Sequence, residues 1–569
     1  MKLMRFCLVL LLVSACNRQS EVATPDVDAA PGKPGSMSAV VIVHNAVIHT
    51  VNAEQDVAEA MAFNGDGEIL QLGAGDELDA AYPGAELRDL QGRTVIPGLI
   101  DSHGHLYGLA VSLSRAQLVG TTSKEDVIRR LKAHESRLES EAWLLGMGWD
   151  QNDWPQQEFP SRHDLDQHFP DRPVWLIRID GHAGWANSVA LALADRDLGG
   201  DWQIEGGYIH RDAHGQATGV LIDGARALID PLVPATSEEL LDGSLGLALQ
   251  QMVSLGLTGV HDPGVNRSTV AHYLRRIEMG TFPTRVYAMA DGVGDTLDWL
   301  CRRGAIKHAS GRLVMRAAKI YQDGALGSRG AALLRDYVDD PGNNGLLFLQ
   351  PDALQAQLRK IMDCGFQAAV HAIGDRANRV VLDAYESVIP DYPDNPGRHR
   401  VEHVQILSGD DLARFAELGI IAAMQPTHAT SDMYWAEERV GPEGIRFAYA
   451  WRSLLDSGAH LALGSDFPVE AVNPMFGIYA AVARKDLQGW PGGGWYPAES
   501  MTRAQALRGF TLDAARAAFM EQRVGSLEPG KRADFVILDR DIMTVPEADI
   551  PATVVLETWL DGERVYARP

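Results

Sequence analysis

Eight apolar, strand-like runs alternate with helix-like stretches along most of this chain, at 95–101, 257–262, 285–290, 317–322, 367–371, 400–403, 420–425 and 460–466. Strands that alternate with helices are joined by crossovers, so neighbouring strands run parallel with helices covering the sheet. Eight such units predict a (β/α)8 TIM-like barrel over 95–520. Its active site then lies where the strands end. The gap between the first and second runs is too long for one crossover helix, which places an insertion at about 110–235. Short β-rich runs broken by Asn, Asp and Gly fill 38–94, and similar runs fill 521–569. The two chain ends are expected to meet in one small composite β-sandwich domain, bringing the termini of the barrel together.

The 569 residues exceed what one hydrophobic core organises, and 46% hydrophobic with 22% charged residues is an ordinary globular balance. The first residues differ. Lys2 and Arg5 precede an apolar run over 6–13, followed by Ser14, Ala15 and Cys16, which reads as a secretory signal over 1–15. Val13-Ser14-Ala15-Cys16 also resembles a bacterial lipobox, which implies lipidation of Cys16. Residues 16–37 are rich in Pro, Ala, Ser, Asp and Gly and read as a flexible tether. The expected location is therefore the bacterial cell envelope, on a membrane through the Cys16 anchor. Asn17 directs the expectation to the outer membrane, facing the periplasm.

Formal net charge is -25, and loss of Lys2 and Arg5 with the signal takes it to -27. So acidic a surface argues against nucleic acid as a partner. Once the signal with Cys7 is removed, Cys301 and Cys364 are the only cysteines besides Cys16, and whether they bond is open. They cannot build a thiolate metal site, so any metal must be held by nitrogen and oxygen.

Residues able to hold one sit at the strand ends. His103 and His105 close the first run at i and i+2, the spacing that puts two side chains on one side of a strand. Lys319 lies inside the fourth run, where burial disfavours its charge. His371 ends the fifth, Glu402-His403 the sixth, and Asp466 the eighth. Each has a plain structural alternative, such as a helix cap for Asp466 or a buried pair of Lys319 with Asp323. Their joint placement at one end of several strands is hard to assign to packing alone.

These residues stand in motifs that resemble the metal-dependent amidohydrolase superfamily, in its branch typified by YtcJ and N-substituted formamide deformylase. The motifs are Pro97 to His105, Gly148-Trp149-Asp150, Asp180 to Ser188, Lys319 with Asp323 to Arg329, His371 to Asp375, Glu402-His403, Gln425 to His428, Gly464 to Pro468 and Leu527 to Asp534. The resemblance runs from about residue 38 to the last residue. It implies two divalent metal ions, with zinc the best match to such ligands and Mn, Fe or Co also compatible. His103 and His105 would bind the buried ion, His371 and His403 the exposed one, and Asp466 would complete the first site. Lys319 would be carboxylated by CO2, so that an anionic carbamate bridges both ions. A hydroxide shared between them would attack an amide-type small molecule, with Asp466 carrying the proton, and hydrolyse a non-peptide C–N bond.

Weaker signals concern substrate. His428 follows the seventh run and is a candidate hydrogen-bond donor. His182 and Trp185 in the insertion would offer a donor and an aromatic wall, or would simply pack it. Asp323 and Arg329 are either a substrate pair or a structural ion pair. Two other readings compete: a mononuclear deaminase or cyclohydrolase of the same superfamily, and a catalytically inactive lipid-anchored binding protein. Oligomeric state stays open, with a homodimer one option.

Overall fold

The computed structural model describes residues 39–54, 56–136, 138, 142–204, 206–234 and 238–569. The expected signal, Cys16 and the tether lie outside these residues. At its centre are eight parallel strands: β1 (Leu99–Asp101), β2 (Leu257–Val265), β3 (Arg285–Asp291), β4 (Leu313–Tyr321), β5 (Gln367–Ala372), β6 (Arg400–His403), β7 (Ile421–Met424) and β8 (His460–Leu463). They pair in chain order from β1 to β8. The first and last are drawn together at their ends, where the Ser102 amide donates to the Leu463 carbonyl at 3.0 Å. There the Asp101 carboxylate also accepts from the Ser465 hydroxyl at 2.6 Å. The (β/α)8 architecture read from the sequence is borne out.

The helices cover the barrel for the reason the sequence patterning suggests. In helix Asp375–Val388, Ala377, Val381, Ala384, Tyr385 and Val388 are buried, a spacing of three and four that puts one stripe on the strands. Pro390 follows two residues beyond the end, where its missing amide cannot serve the helix ladder. Cys301 and Cys364 form a disulfide that joins the helix Asp295–Arg303 to the end of the helix Pro351–Asp363. No described helix is long and apolar enough to cross a membrane.

The first expected barrel strand is divided. Glu86–Pro97 belongs to a second, eight-stranded sheet, and only Leu99–Asp101 enters the barrel. Gly98 makes the step, because a Cβ there would lie 2.2 Å from Thr258 Oγ1. Apolar patterning could not show this break, since residues 95–97 before it and 99–101 after it are both buried and β-forming. Glu86–Pro97 pairs parallel with Val41–His49 on one side and antiparallel with Phe535–Leu538 on the other. The two chain ends are thereby stitched into one continuous mixed sheet.

The residues after β1 form a third sheet of six strands, in the order Gly207–Arg211, Ala217–Asp223, Ala183–Ala186, Val174–Arg178, Leu144–Trp149 and Ala116–Gln117. It has apolar clusters of its own, one of them built around Trp149, Trp154 and Trp185. A sheet with its own core can hold side chains rigidly over the barrel mouth.

Candidate metal centre and active-site cavity

Strand register brings the candidate ligands to one level. Tyr321 on β4 stands opposite His371 on β5, and Ala372 opposite His403 on β6. Lys319 lies two residues before the end of β4 and is fully buried. His103 and His105 follow β1 on either side of Gly104, where a Cβ would meet the Phe467 ring at 2.4 Å. His403 and Asp466 have φ of 79° and 65°. That left-handed conformation costs a non-glycine residue on the order of 1–3 kcal/mol, a strain typical of functional sites. Here it turns both side chains toward the barrel axis.

The side chains converge on Asp466. His105 Nε2 lies 3.1 Å and His103 Nε2 3.6 Å from Asp466 Oδ1. Lys319 Nζ lies 3.5 Å from His103 Nε2. The rings of His371 and His403 are 4.5 Å apart between centroids. Asp466 Oδ1 has no hydrogen bond despite the close imidazoles, and buried His371 Nε2 has none either.

The outer ring nitrogens explain this. His103 Nδ1 donates to Glu402 Oε2 at 2.5 Å, His105 Nδ1 to the Pro263 carbonyl at 3.2 Å, and His403 Nδ1 to Gln425 Oε1 at 2.9 Å. His371 has its backbone hydrogen bond at Gly324. With the proton on Nδ1, the Nε2 of His103, His105 and His403 presents a lone pair inward, the form in which imidazole binds a metal, whereas His371 Nε2 lies 3.5 Å from Asp323 Oδ1 behind the centre. Burial holds His103, His371 and His403 well below the usual histidine range, which keeps them neutral. Burial alone would push the Asp466 carboxyl up, but with no metal bound a proton on His105 Nε2, and positive charge on His103 beside it, would override burial and hold the group down at about 2. Neutral nitrogen lone pairs and an ionised carboxylate facing one another form a donor set that fits divalent cations.

His428 differs. Its Nε2 lies 3.7 Å from Asp466 Oδ2, close enough to group it with His403 and Asp466 as a third potential ligand. Its Nδ1, however, accepts from Gln405 Nε2 at 2.9 Å, so the proton sits on Nε2. That makes His428 a hydrogen-bond donor beside the centre, the simpler of its two roles.

Behind His103 lies a buried ionic network. Arg400 grips Glu402 through two bonds of 2.8 and 2.9 Å, and reaches His261 Nδ1 at 2.8 Å and the Ser102 carbonyl at 2.7 Å. A carboxylate behind a ligating imidazole fixes its tautomer and raises its basicity, and losing it typically weakens metal binding by about 10–100-fold. Glu402→Gln is expected to show a loss of that size in competition with a chromogenic chelator. Metal retention equal to that of the parent protein would remove Glu402 from this role. The sequence held a signal for it: Arg400 and Glu402 alternate with Val401 in a strand, so both charges face the barrel interior.

A cavity of about 990 Å³ opens over this centre. His105, Lys319, His371, His403, His428 and Asp466 line it from the barrel, and Arg178, His182 and Asp223 from the insertion. His182 Nδ1 pairs with Asp223 Oδ1 at 2.6 Å, and its ring stands 6.5 Å from that of His371. Three residues considered for substrate contact lie elsewhere. Trp185 is fully buried in the insertion core, donating to the Ser161 carbonyl at 2.9 Å and packing edge-on against Trp149. Asp323 is fully buried and accepts from the Ala332, Ile373 and Gly374 amides at 2.8–2.9 Å, so it organises loops behind His371. Arg329 pairs with Asp339 at 2.8 Å and not with Asp323. Arg178, unremarked in the sequence, bridges Asp150 and Asp180 on the cavity wall.

The chain is similar in sequence and fold to known proteins. The sequence profile of the Amidohydrolase family matches residues 86–566, which include every candidate ligand. The chain belongs to the amidohydrolase family. This amidohydrolase is 34% identical to the amidohydrolase-family protein YtcJ of Bacillus subtilis, over 93% of this chain and 99% of that one. It is 30% identical to N-substituted formamide deformylase of Arthrobacter pascens, over 93% and 98%. Among solved structures, an uncharacterized metal-dependent hydrolase from Pyrococcus horikoshii OT3 superimposes with a TM-score of 0.72 at 27% identity, covering 90% of this chain and 99% of that one.

Proposed function

We propose that this amidohydrolase hydrolyses a non-peptide C–N bond, in an amide, N-formyl or related group, with two divalent ions held by its own residues. The observation that carries this reading is the convergence of four imidazoles, a buried lysine and Asp466 at the strand ends of one barrel. His103, His105 and Asp466 would hold one ion, and His371 and His403 the other. Lys319, carboxylated on Nζ, would serve both. Zinc suits this donor set best. Bound there, the ions would supply Lewis acidity that polarises the scissile carbonyl and favours deprotonation of the attacking water.

The protein's own groups do the rest. Asp466 accepts the proton as the water oxygen bonds to the carbonyl carbon, then returns it to the nitrogen as the C–N bond breaks. Without that return an amine leaves poorly. His428 donates from Nε2 toward the oxygen that gains charge. Lys319 reaches its anionic form when the neutral amine bonds to CO2 and releases one proton. Burial pulls that amine down to about 8, so an unprotonated fraction exists near neutral pH.

The name of the Arthrobacter relative makes N-substituted formamides the first substrates to test, beside N-acyl amino acids and lactams. With zinc-loaded protein, turnover of at least one class is expected. Removal of metal by a strong chelator should abolish it, and zinc should restore it. Activity that survives complete demetallation, or no turnover of any class by loaded protein, overturns the reading.

A further inference from the structure

Carboxylates outnumber free cations on the wall of the cavity above the metal centre. Glu470 after β8, Asp432 after β7 and Asp153 in the insertion all border it, and none of the three belongs to the candidate ligand set. They lie close enough together for the charges of Asp432 and Asp153 both to act on Glu470. Glu470 accepts from the Ser431 hydroxyl, and Asp432 Oδ2 from the Tyr449 hydroxyl at 2.5 Å, but among the described residues none of the three carboxylates forms an ion pair. Arg178 and Arg439 bear on Asp432, yet the first is committed to Asp150 and Asp180 and the second to Asp339, while Arg226 is held by Asp230. Lys485 lines the cavity without an ion pair, which leaves one free cation against three carboxylates.

A second observation lies on the same wall. Thr427 is only 6% exposed and borders the cavity, and its hydroxyl has no hydrogen-bond partner. It stands four residues before Ser431 in the helix Pro426–Asp432, so the two side chains share one face, a turn apart. An unused acceptor therefore sits one turn from the hydroxyl that holds Glu470. Sheltered carboxylates are normally paired, because an unpaired one loses hydration that nothing replaces. Burial, with the Asp432, Asp466 and Asp153 carboxylates nearby, pushes Glu470 up to about 8, and burial pushes Asp432 up to about 7. A cation seated beside them would offset that cost.

We propose that the amide substrate carries a positively charged group at its far end, a primary ammonium or guanidinium, bound by Glu470 and Asp432, with Asp153 adding to the field and Thr427 accepting one N–H bond. This rests on the hydrolase reading above and narrows it to mono-acylated diamines and their guanidino counterparts. Charge-assisted hydrogen bonds to two carboxylates supply the affinity, and the net charge of -25 draws cations toward the protein from a distance. A substrate carboxylate would depend on Lys485 alone and meet three like charges.

The probe is n-butylguanidinium, which stays charged and has no lone pair to give a metal. It is titrated calorimetrically into zinc-loaded protein, beside n-butanol and butyrate. It should bind at least about tenfold more tightly than either. Glu470→Gln keeps an acceptor for Ser431 and Asp432→Asn one for Tyr449, and each should weaken the guanidinium by about tenfold or more at unchanged metal content. In turnover, N-formyl- and N-acetyl-1,4-diaminobutane should exceed the matching N-acyl pentylamines in kcat/KM by about tenfold or more. That ratio should fall toward one in Glu470→Gln and persist in Lys485→Met. If the guanidinium binds as expected and no amide is turned over, the proposed subsite stands and only the hydrolase reading fails. Butyrate binding as tightly as the guanidinium, a guanidinium affinity no better than that of butanol, or one unchanged in both variants overturns the proposal.

Discussion

Asp466→Asn is expected to lower kcat by about 10²- to 10⁴-fold, the range for removing a positioned proton carrier. Asparagine is the informative replacement because it tolerates the left-handed backbone at this position, where φ is 65°. An alanine would add backbone strain to the loss of the carboxylate. The amide keeps an oxygen toward His105 and His103, but it cannot take a proton from water and return it to nitrogen. Metal content has to be measured alongside, because Asp466 is also a candidate ligand 3.1 Å from His105 Nε2. If the fully loaded variant retains kcat within about tenfold of the parent, another group carries the proton.

Lys319→Met carries the second large effect. Methionine is close to lysine in length and apolar, so the buried site keeps its packing while losing the amine. Without an amine no carbamate forms, and the anion expected to serve both ions is gone. Metal analysis should fall from about two equivalents per chain to about one, and kcat/KM by about 10³-fold, the equivalent of several kcal/mol of transition-state charge stabilisation. Bicarbonate should speed zinc reconstitution of the parent apoprotein and leave the variant unaffected. Two retained equivalents in the variant would show that Lys319 does not bridge, whereas one equivalent in both proteins would favour a mononuclear centre.

Much of this centre is legible in one dimension because strand geometry is local. A period of two and a strand's end suffice to place His103, His105 and His371 at one face of a barrel whose eight apolar runs can be counted, whereas His403, one residue past the inward Glu402, reaches the centre only through its left-handed backbone with φ of 79°. Gly104 shows the limit. Its spacing role between two histidines is visible in the sequence, but its necessity comes from the Phe467 ring, 363 residues away. Trp185 shows a misreading of another kind: an aromatic in a motif beside His182 suggests a substrate wall, yet period two sends it into the insertion core. Asp323 and Arg329 likewise look like partners in sequence and are not, since each finds its contacts on other loops.

By itself the sequence determined the alternation that makes the barrel, the identity of the ligand-type residues and the strand ends that carry them. Those follow from backbone periodicity and side-chain chemistry, which are properties of neighbours along the chain. The tertiary structure alone decided which nitrogen of His103, His105 and His403 faces inward, because Glu402, Pro263 and Gln425 are the acceptors that hold the Nδ1 protons. It also decided that His428 presents a proton and not a lone pair, and that residues of the barrel and of the insertion share one cavity. Hydrogen-bond direction and shared surface depend on groups far apart in sequence, so no local pattern encodes them.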